Sequence, residues 1–246
     1  MEQERKVNQI YHVARCGSTL LASLLSTVTT VYSEPSWAKA LSIGTNPYSG
    51  IQSFYGSVVK FPSMLSCHPT DIPGKKIFLY RTLSQHLCKM KSVEPLWIQS
   101  RLKRIDRILR HNNHPKLSKW KSNDDLDKVI YLWLCSIFYM LDDPDILWIQ
   151  TNDFLKNKQE TLNTICGHFN LPKVSNVSLS DIHVKKCGLN SKDKPINPNI
   201  NEIDHANYVL PAYGVIETEL ALCDEDIKTR VSIIEDIFPQ IKSFLY

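Results

Sequence analysis

Residues 8–21 read NQIYHVARCGSTLL, and this stretch decides the fold class. Residues 8–13 are typical of a short buried strand, and residues 18–26 are typical of a helix. Gly17 stands between them and permits a tight turn. Because strand, turn and helix in this order open a βαβ unit, the stretch predicts an α/β protein.

Other segments extend this pattern along the chain. Apolar stretches bounded by proline or glycine predict further strands at residues 57–61, 76–80 and 146–150. Periodic apolar positions predict helices at 97–110 and 124–141, with Ser122 and Asn123 as cap candidates for the second. Continuous apolar strands favour a parallel sheet covered on both faces. We therefore expect a three-layer α/β/α fold with a central, mostly parallel sheet, in a single domain over residues 1–246.

Composition narrows the class of protein. The chain has 246 residues, 43% of them apolar, and a formal net charge of +4. This mild basicity favours an anionic small ligand over nucleic acid. The longest apolar run, at residues 130–141, is shorter than the ~20 residues of a membrane span. No signal-peptide core follows the polar residues 1–6, so we expect a cytoplasmic location.

The seven cysteines are scattered, and no two of them form a C-x-x-C pair. This favours a reducing compartment. Zinc needs clustered cysteine or histidine ligands, and the spacings do not provide them, so we expect no metal.

The turn after the first strand has the chemistry of an anion site. Gly17 frees the amides of the first helical turn to point at one spot, where the helix dipole adds positive charge. Arg15 supplies a planar cation for phosphate or sulfate oxygens, and Ser18 and Thr19 supply hydroxyls. The same residues also suit an ordinary helix start in which Ser18 and Thr19 act as caps.

Two other phosphate chemistries fit this turn less well. The ATP-binding pattern G-x-x-x-x-G-K-[ST] is not present, since no lysine follows Gly17. Cys16 at a helix N-terminus suggests a nucleophilic thiol, as in phosphatases that carry an arginine six positions later. Position 22 is an alanine, so that interpretation lacks its key residue.

Four motifs follow one another along the chain: residues 15–21, which read RCGSTLL; a Glu-Pro pair at 34–35; the strands ending at Lys60 and Arg81; and the segment 147–154 with the helix ending in Asn-Leu-Pro at 170–172. In this order they resemble the sulfotransferases that use 3′-phosphoadenosine-5′-phosphosulfate (PAPS). Residues 15–21 match the bacterial form of the family's 5′-phosphosulfate loop, and the Glu-Pro pair is similar to one in bacterial carbohydrate sulfotransferases. The resemblance spans residues 8 to about 200 and implies a P-loop-like fold.

The resemblance also implies roles for individual residues. The 5′-phosphosulfate site would comprise Arg15, Cys16, Gly17, Ser18, Thr19 and Leu20. Arg81 would bind the 3′-phosphate with Lys89, which replaces the usual serine eight positions later. Pro62 stands where animal cytosolic members have a histidine. The late Arg-Lys-Gly clamp is missing, and Lys185-Lys186 or Ser191-Lys192 are its candidate substitutes.

Three catalytic roles follow, each with a plainer alternative. Glu34 is the candidate general base, and its alternative is a solvent-facing turn carboxylate. Lys60, at the end of a central strand, is expected to reach the sulfuryl oxygens, or else only to end the strand. Arg15 would stabilise charge on the leaving group, or else form a surface ion pair. The alternative for Arg81 is a structural ion pair. Asp153 is expected to cap a turn, and His12 and His68 have no partner that the sequence reveals.

The sequence thus predicts a sulfotransferase that moves a sulfuryl group from PAPS to a hydroxyl or amine and releases 3′-phosphoadenosine 5′-phosphate (PAP). The acceptor is a small molecule, carbohydrate or lipid that the sequence does not identify. One alternative is a non-catalytic protein that binds PAP or a similar nucleotide on the same fold. Another is an atypical P-loop kinase, which would need ATP and magnesium.

Overall fold

A computed structural model of the chain describes residues 6–14, 16–41, 51–62, 71–91, 114–121, 123–175, 193, 195–196 and 224–246, with the backbone alone at 39–41. The strands are β1 (Asn8–His12), β2 (Val31–Ser33), β3 (Val58–Lys60), β4 (Lys76–Tyr80) and β5 (Ile146–Gln150). They form one sheet in the order β2-β3-β1-β4-β5, in which every neighbouring pair is parallel. The predicted parallel α/β architecture is confirmed.

Seven α-helices lie among the described residues. They are α1 (Ser18–Leu25), α2 (Ser36–Leu41), α3 (Leu83–Lys91), α4 (Asp125–Leu141), α5 (Thr151–Lys156), α6 (Lys158–Phe169) and α7 (Glu225–Ile237). Short 3-10 turns cover Ile51–Phe54, Pro115–Leu117 and Pro239–Phe244. The predicted helix at 97–110 lies outside the described residues.

The core covers both faces of the sheet. Ile77, Phe78 and Leu79 follow one another in β4, and each is at most 1% exposed. Because successive side chains of a strand point to opposite faces, burial of all three requires cover on both sides. None of the described helices is long and apolar enough to cross a bilayer.

The N-terminus of α4 differs from the prediction. Its N-cap is Asp124, whose carboxylate accepts a hydrogen bond from the amide of Asp127 at 2.8 Å. Ser122 lies outside the described residues, and the amide of Asn123 donates to the Asp127 carboxylate at 2.9 Å. Aspartate is a strong N-cap, and its charge also complements the helix dipole, which is why it takes this position.

The cysteines among the described residues are not all free thiols. Cys16, Cys135 and Cys166 are free and buried, whereas Cys88 in α3 is disulfide-bonded. A bridge of this kind is rare in a reducing compartment.

Candidate functional site

Parallel pairing brings the carboxyl ends of all five strands to one edge of the sheet. After β1 the chain passes to β2 on one side, and after β4 it passes to β5 on the other. β1 and β4 are neighbours, so the crevice between their carboxyl ends is a topological switch point, where open α/β sheets bind ligands. The turn before α1 and the residues after Tyr80 flank this crevice.

The turn after β1 has the geometry that the sequence predicts. Gly17 has φ 85° and is the N-cap of α1, with no side-chain cap, and its carbonyl accepts the first helical bond from Leu21 at 3.0 Å. Thr19 is half-buried, while Ser18 and Leu20 are buried. Leu20 packs in the core, so only its backbone can contact a ligand. Arg15 lies outside the described residues.

Cys16 is not a nucleophile in this fold. Burial raises the pKa of its thiol to about 11, so the thiol stays protonated at neutral pH. Its backbone has a structural role instead, because the Thr151 hydroxyl lies 2.9 Å from the carbonyls of both Cys16 and Tyr80. Thr151, fully buried at the start of α5, thereby ties the candidate phosphate loop to the end of β4. In the sequence, Thr151 lies within the segment 147–154 that resembles family elements, but no pattern there gives it this role.

Glu34 and Lys60 form one unit at the ends of β2 and β3. The Lys60 ammonium lies 2.9 Å from Oε1 of Glu34, and the Glu34 amide donates to the Lys60 carbonyl at 2.7 Å. Glu34 has φ 54°, a left-handed conformation that a side chain adopts at a cost. Surrounding contacts hold a strained residue of this kind in place, and such residues are concentrated at functional sites.

His12 lies beside this pair but is closed to substrate. Its Nδ1 is 2.9 Å from the Val13 carbonyl and its Nε2 is 2.9 Å from the Phe61 carbonyl. Burial, followed by the Lys60 charge, lowers its pKa from 6.5 to about 4. The neutral ring has one N–H and donates to one of these carbonyls. Since both nitrogens face the protein, His12 is not placed to take a proton from an acceptor; His68 lies outside the described residues.

Arg81 follows β4 and is 1% exposed. The indole of Trp133 donates to its carbonyl at 3.1 Å and fixes the backbone there. The Thr151 hydroxyl bonds the carbonyls of Cys16 and Tyr80, so the residue before Arg81 lies next to the candidate phosphate loop. Lys89 is half-buried in the last turn of α3. Arg81 and Lys89 thus lie on consecutive elements, directly after β4 and in the last turn of α3.

A late segment of the chain reaches the Glu34 turn. The carboxylate of Asp193 accepts hydrogen bonds at 2.8 Å from both the amide and the hydroxyl of Ser36. Pro195 forms an antiparallel bridge with Tyr32, and the amide of Ile196 donates to Val31 at 2.7 Å. The predicted clamp candidates Lys185, Lys186, Ser191 and Lys192 lie outside the described residues. The last two immediately precede Asp193 in the sequence.

Asp153 lies in the first turn of α5, and its carbonyl accepts from Asn157 at 2.8 Å. Its carboxylate and burial together raise the pKa of Tyr80, burial being the larger cause. Asp153 therefore stands at the same sheet edge as Glu34, two strands beyond β1.

No protein-family model matches the chain, and no curated protein matches it in sequence. Its structure is similar to the crystal structure of a sulfotransferase from Alicyclobacillus acidocaldarius, with a TM-score of 0.51 and 11% identity over 98% of this chain and 96% of that one. A sulfotransferase domain from the curacin biosynthetic pathway gives a TM-score of 0.48 and 14% identity over 98% of both chains.

The chain therefore has the P-loop-like sulfotransferase fold. The resemblance predicted from the sequence motifs is confirmed at the level of that fold.

Proposed function

We propose that the protein transfers the sulfuryl group of PAPS to a hydroxyl or amine of an acceptor, with Glu34 as the general base. The observation that carries the proposal is the ion pair between Lys60 and Glu34 at the carboxyl edge of the sheet. It brings a proton acceptor and a cation together beside a helix N-terminus suited to anions. Sulfuryl transfer, like phosphoryl transfer, needs these parts.

The donor would lie across the crevice between β1 and β4. Backbone amides from Cys16 to Leu20, the Ser18 and Thr19 hydroxyls and the Arg15 guanidinium would hold the 5′-phosphosulfate. Arg81 and Lys89 would pair with the 3′-phosphate, with Ser191 and Lys192 as further donors. Because Arg81 is almost fully withdrawn from water, its attraction to a phosphate is weakly screened.

The reaction proceeds in line. The acceptor oxygen or nitrogen attacks sulfur and forms the new bond while the bond from sulfur to the bridging 5′-phosphate oxygen breaks. PAP leaves with that electron pair, and Arg15 stabilises the charge that develops on it. The acceptor's proton passes to the Glu34 carboxylate, which the ion pair presents in the form that can receive it.

Lys60 would contribute by exchanging partners. In the free protein its ammonium is bound to Glu34 at 2.9 Å. As negative charge grows on the sulfuryl oxygens, the ammonium would turn towards them, which also releases the carboxylate to take up a proton. The electrostatic contribution of such a group is large because Lys60 is only 3% exposed.

A second function has support from the same pair. A buried lysine needs a counter-charge even when its role is only structural, so the ion pair also fits a non-catalytic protein that binds PAP. Such a protein would bind PAP and leave PAPS intact. The atypical kinase would instead depend on ATP and magnesium.

Two measurements separate these functions. Thermal shifts with PAP, PAPS, ATP and ADP report binding to the folded state, which raises the melting temperature. Release of PAP from PAPS, with pooled candidate acceptors, reports transfer. We expect stabilisation by PAP without magnesium, and PAP release above the uncatalysed rate. Stabilisation by PAP without release favours the binding protein, and a response to ATP with magnesium alone favours the kinase.

A further inference from the structure

The segment 224–246 packs along α3 and is anchored in the core. It comprises α7 and the 3-10 turn Pro239–Phe244. Its buried apolar residues recur every three or four positions and are each at most 2% exposed: Ile227, Val231, Ile234, Phe238, Ile241 and Leu245. This spacing is that of one helical face turned to the core. The segment can therefore act as a fixed support for its neighbour.

The end of this segment binds the beginning of α3. Ser84, the second residue of the helix, donates to the Leu245 carbonyl through its amide at 3.0 Å and its hydroxyl at 2.8 Å. Amides in a first helical turn have no acceptor within the helix, so the Leu245 carbonyl supplies one from outside. Ser84 is 7% exposed, and the bond is little weakened by water.

The beginning of the segment binds the end of α3. The Lys91 ammonium lies 2.8 Å from the carboxylate of Asp224 and 3.0 Å from that of Asp226. The segment thus runs antiparallel to α3 and holds it at both ends. The ion pairs are partly exposed and contribute less than the buried Ser84 contact.

The position of α3 matters because the two candidate 3′-phosphate residues have different supports. Arg81 is fixed by β4 and by the bond from Trp133 to its carbonyl. Lys89 lies in the last turn of α3, eight residues after Arg81. At the rise of a helix, eight residues span roughly 12 Å. A small shift or tilt of α3 moves Lys89 relative to Arg81.

We propose that the segment 224–246, through the Leu245 carbonyl and Ser84, positions α3 so that Lys89 and Arg81 act on one 3′-phosphate. Ser84 is then a positioning residue for the discrimination of PAP from ADP. This inference rests on the proposed function, because it takes the 3′-phosphate to bind at Arg81 and Lys89.

The test compares the affinities of PAP and ADP, measured by calorimetry, in Ser84→Ala and in Ser136→Ala. Ser136 is a matched control, since it is buried in α4 and its hydroxyl donates to the Leu132 carbonyl at 3.0 Å. We expect Ser84→Ala to lower the preference for PAP about three- to tenfold, with ADP affinity unchanged. Ser136→Ala should leave the preference as it is.

An unchanged preference in Ser84→Ala, or an equal fall in both variants, overturns the inference. If Ser84→Ala does not fold, Asp224→Asn and Asp143→Asn replace the pair. Both aspartates pair with a lysine, Asp224 with Lys91 and Asp143 with Lys76, but Lys91 belongs to α3 and Lys76 to β4. The preference for PAP should then fall about twofold in Asp224→Asn alone. If it does not fall in that variant, the inference is overturned.

Failure of the proposed function is seen separately, because the unmodified protein would then bind PAP no better than ADP.

Discussion

The side chains of Glu34 and Lys60 meet at 2.9 Å, yet the side chain of Glu34 is 32% exposed and that of Lys60 only 4%. They come from different strands, and the parallel register of β2 and β3 sets Ser33, the residue before Glu34, opposite Lys60. The pair therefore presents its carboxylate to solvent and keeps its ammonium inside. The Glu34 carboxylate is therefore open to solvent, as the proposed base has to be, whereas the Lys60 ammonium lies beneath it.

Replacing Glu34 by glutamine tests that role. Glu34→Gln keeps the size of the side chain but cannot accept the acceptor's proton, so transfer should fall by roughly 10²–10⁴-fold. PAP affinity should hardly change. The control is Asp153→Asn, which removes a carboxylate at the same sheet edge and should transfer at the unmodified rate. Transfer at full rate in Glu34→Gln would assign the base to another group.

His12 reports on the charges of this pair. Lys60 lowers the pKa of His12 and Glu34 raises it, although burial is the largest cause of its value of about 4. Lys60→Met should therefore raise the His12 pKa, and Glu34→Gln should lower it further. NMR titration of the imidazole measures both. Shifts of the same sign in the two variants would contradict the arrangement described here.

Recognition of the 3′-phosphate predicts a nucleotide preference. PAP should stabilise the protein more than ADP does, without magnesium, because ADP lacks the group that Arg81 and Lys89 would bind. Arg81→Ala should abolish most of that difference in melting temperature. Lys76→Ala is the control, since Lys76 pairs with Asp143 at the start of β4, the opposite end of that strand from Arg81. Equal shifts for PAP and ADP in the unmodified protein would refute the assignment.

Two glycines allow backbone strain to be separated from ligand binding. Gly17 and Gly56 have φ of 85° and 78°, and a Cβ added to Gly56 meets no atom within 4 Å. Alanine at either position should cost about 1–2 kcal/mol of stability, because both require the left-handed region. Only Gly17→Ala should also weaken PAP binding, as measured by calorimetry. Equal PAP affinities in the two variants would remove the loop from the nucleotide site.

The buried histidines predict loss of stability in acid. Burial is the main reason that the pKa of His12 is about 4 and that of His86 about 3, both below the ordinary 6.5. At pH values between those pKa values and 6.5, the unfolded chain binds more protons than the folded protein does. The free energy of unfolding therefore falls as the pH drops. Each group contributes up to about 1.4 kcal/mol per pH unit there.

Urea unfolding at several pH values across that window measures the slope. His86→Gln should make it shallower, because one of the two groups no longer titrates. An identical slope in this variant and the unmodified protein would show that His86 does not contribute.

The local elements were open to prediction from the sequence. β4 and β5 have their predicted boundaries, and α1 begins directly after Gly17 as expected. A continuous apolar stretch bounded by glycine or proline can be recognised as a strand from the sequence alone. A left-handed turn favours glycine, so Gly17 marks the turn in the same way. β2 has no such signal, because three residues are too few to show a pattern.

By itself, then, the sequence determined the α/β class, the phosphate-type loop and the candidate residues at the strand ends. Tertiary structure decided which residues meet: Glu34 with Lys60 across two strands, Cys16 with Thr151 across 135 residues, and Ser84 with Leu245 across 161. These contacts depend on strand order and on which helix covers which face. Those features follow from burying the whole apolar surface at once, and no local pattern encodes them.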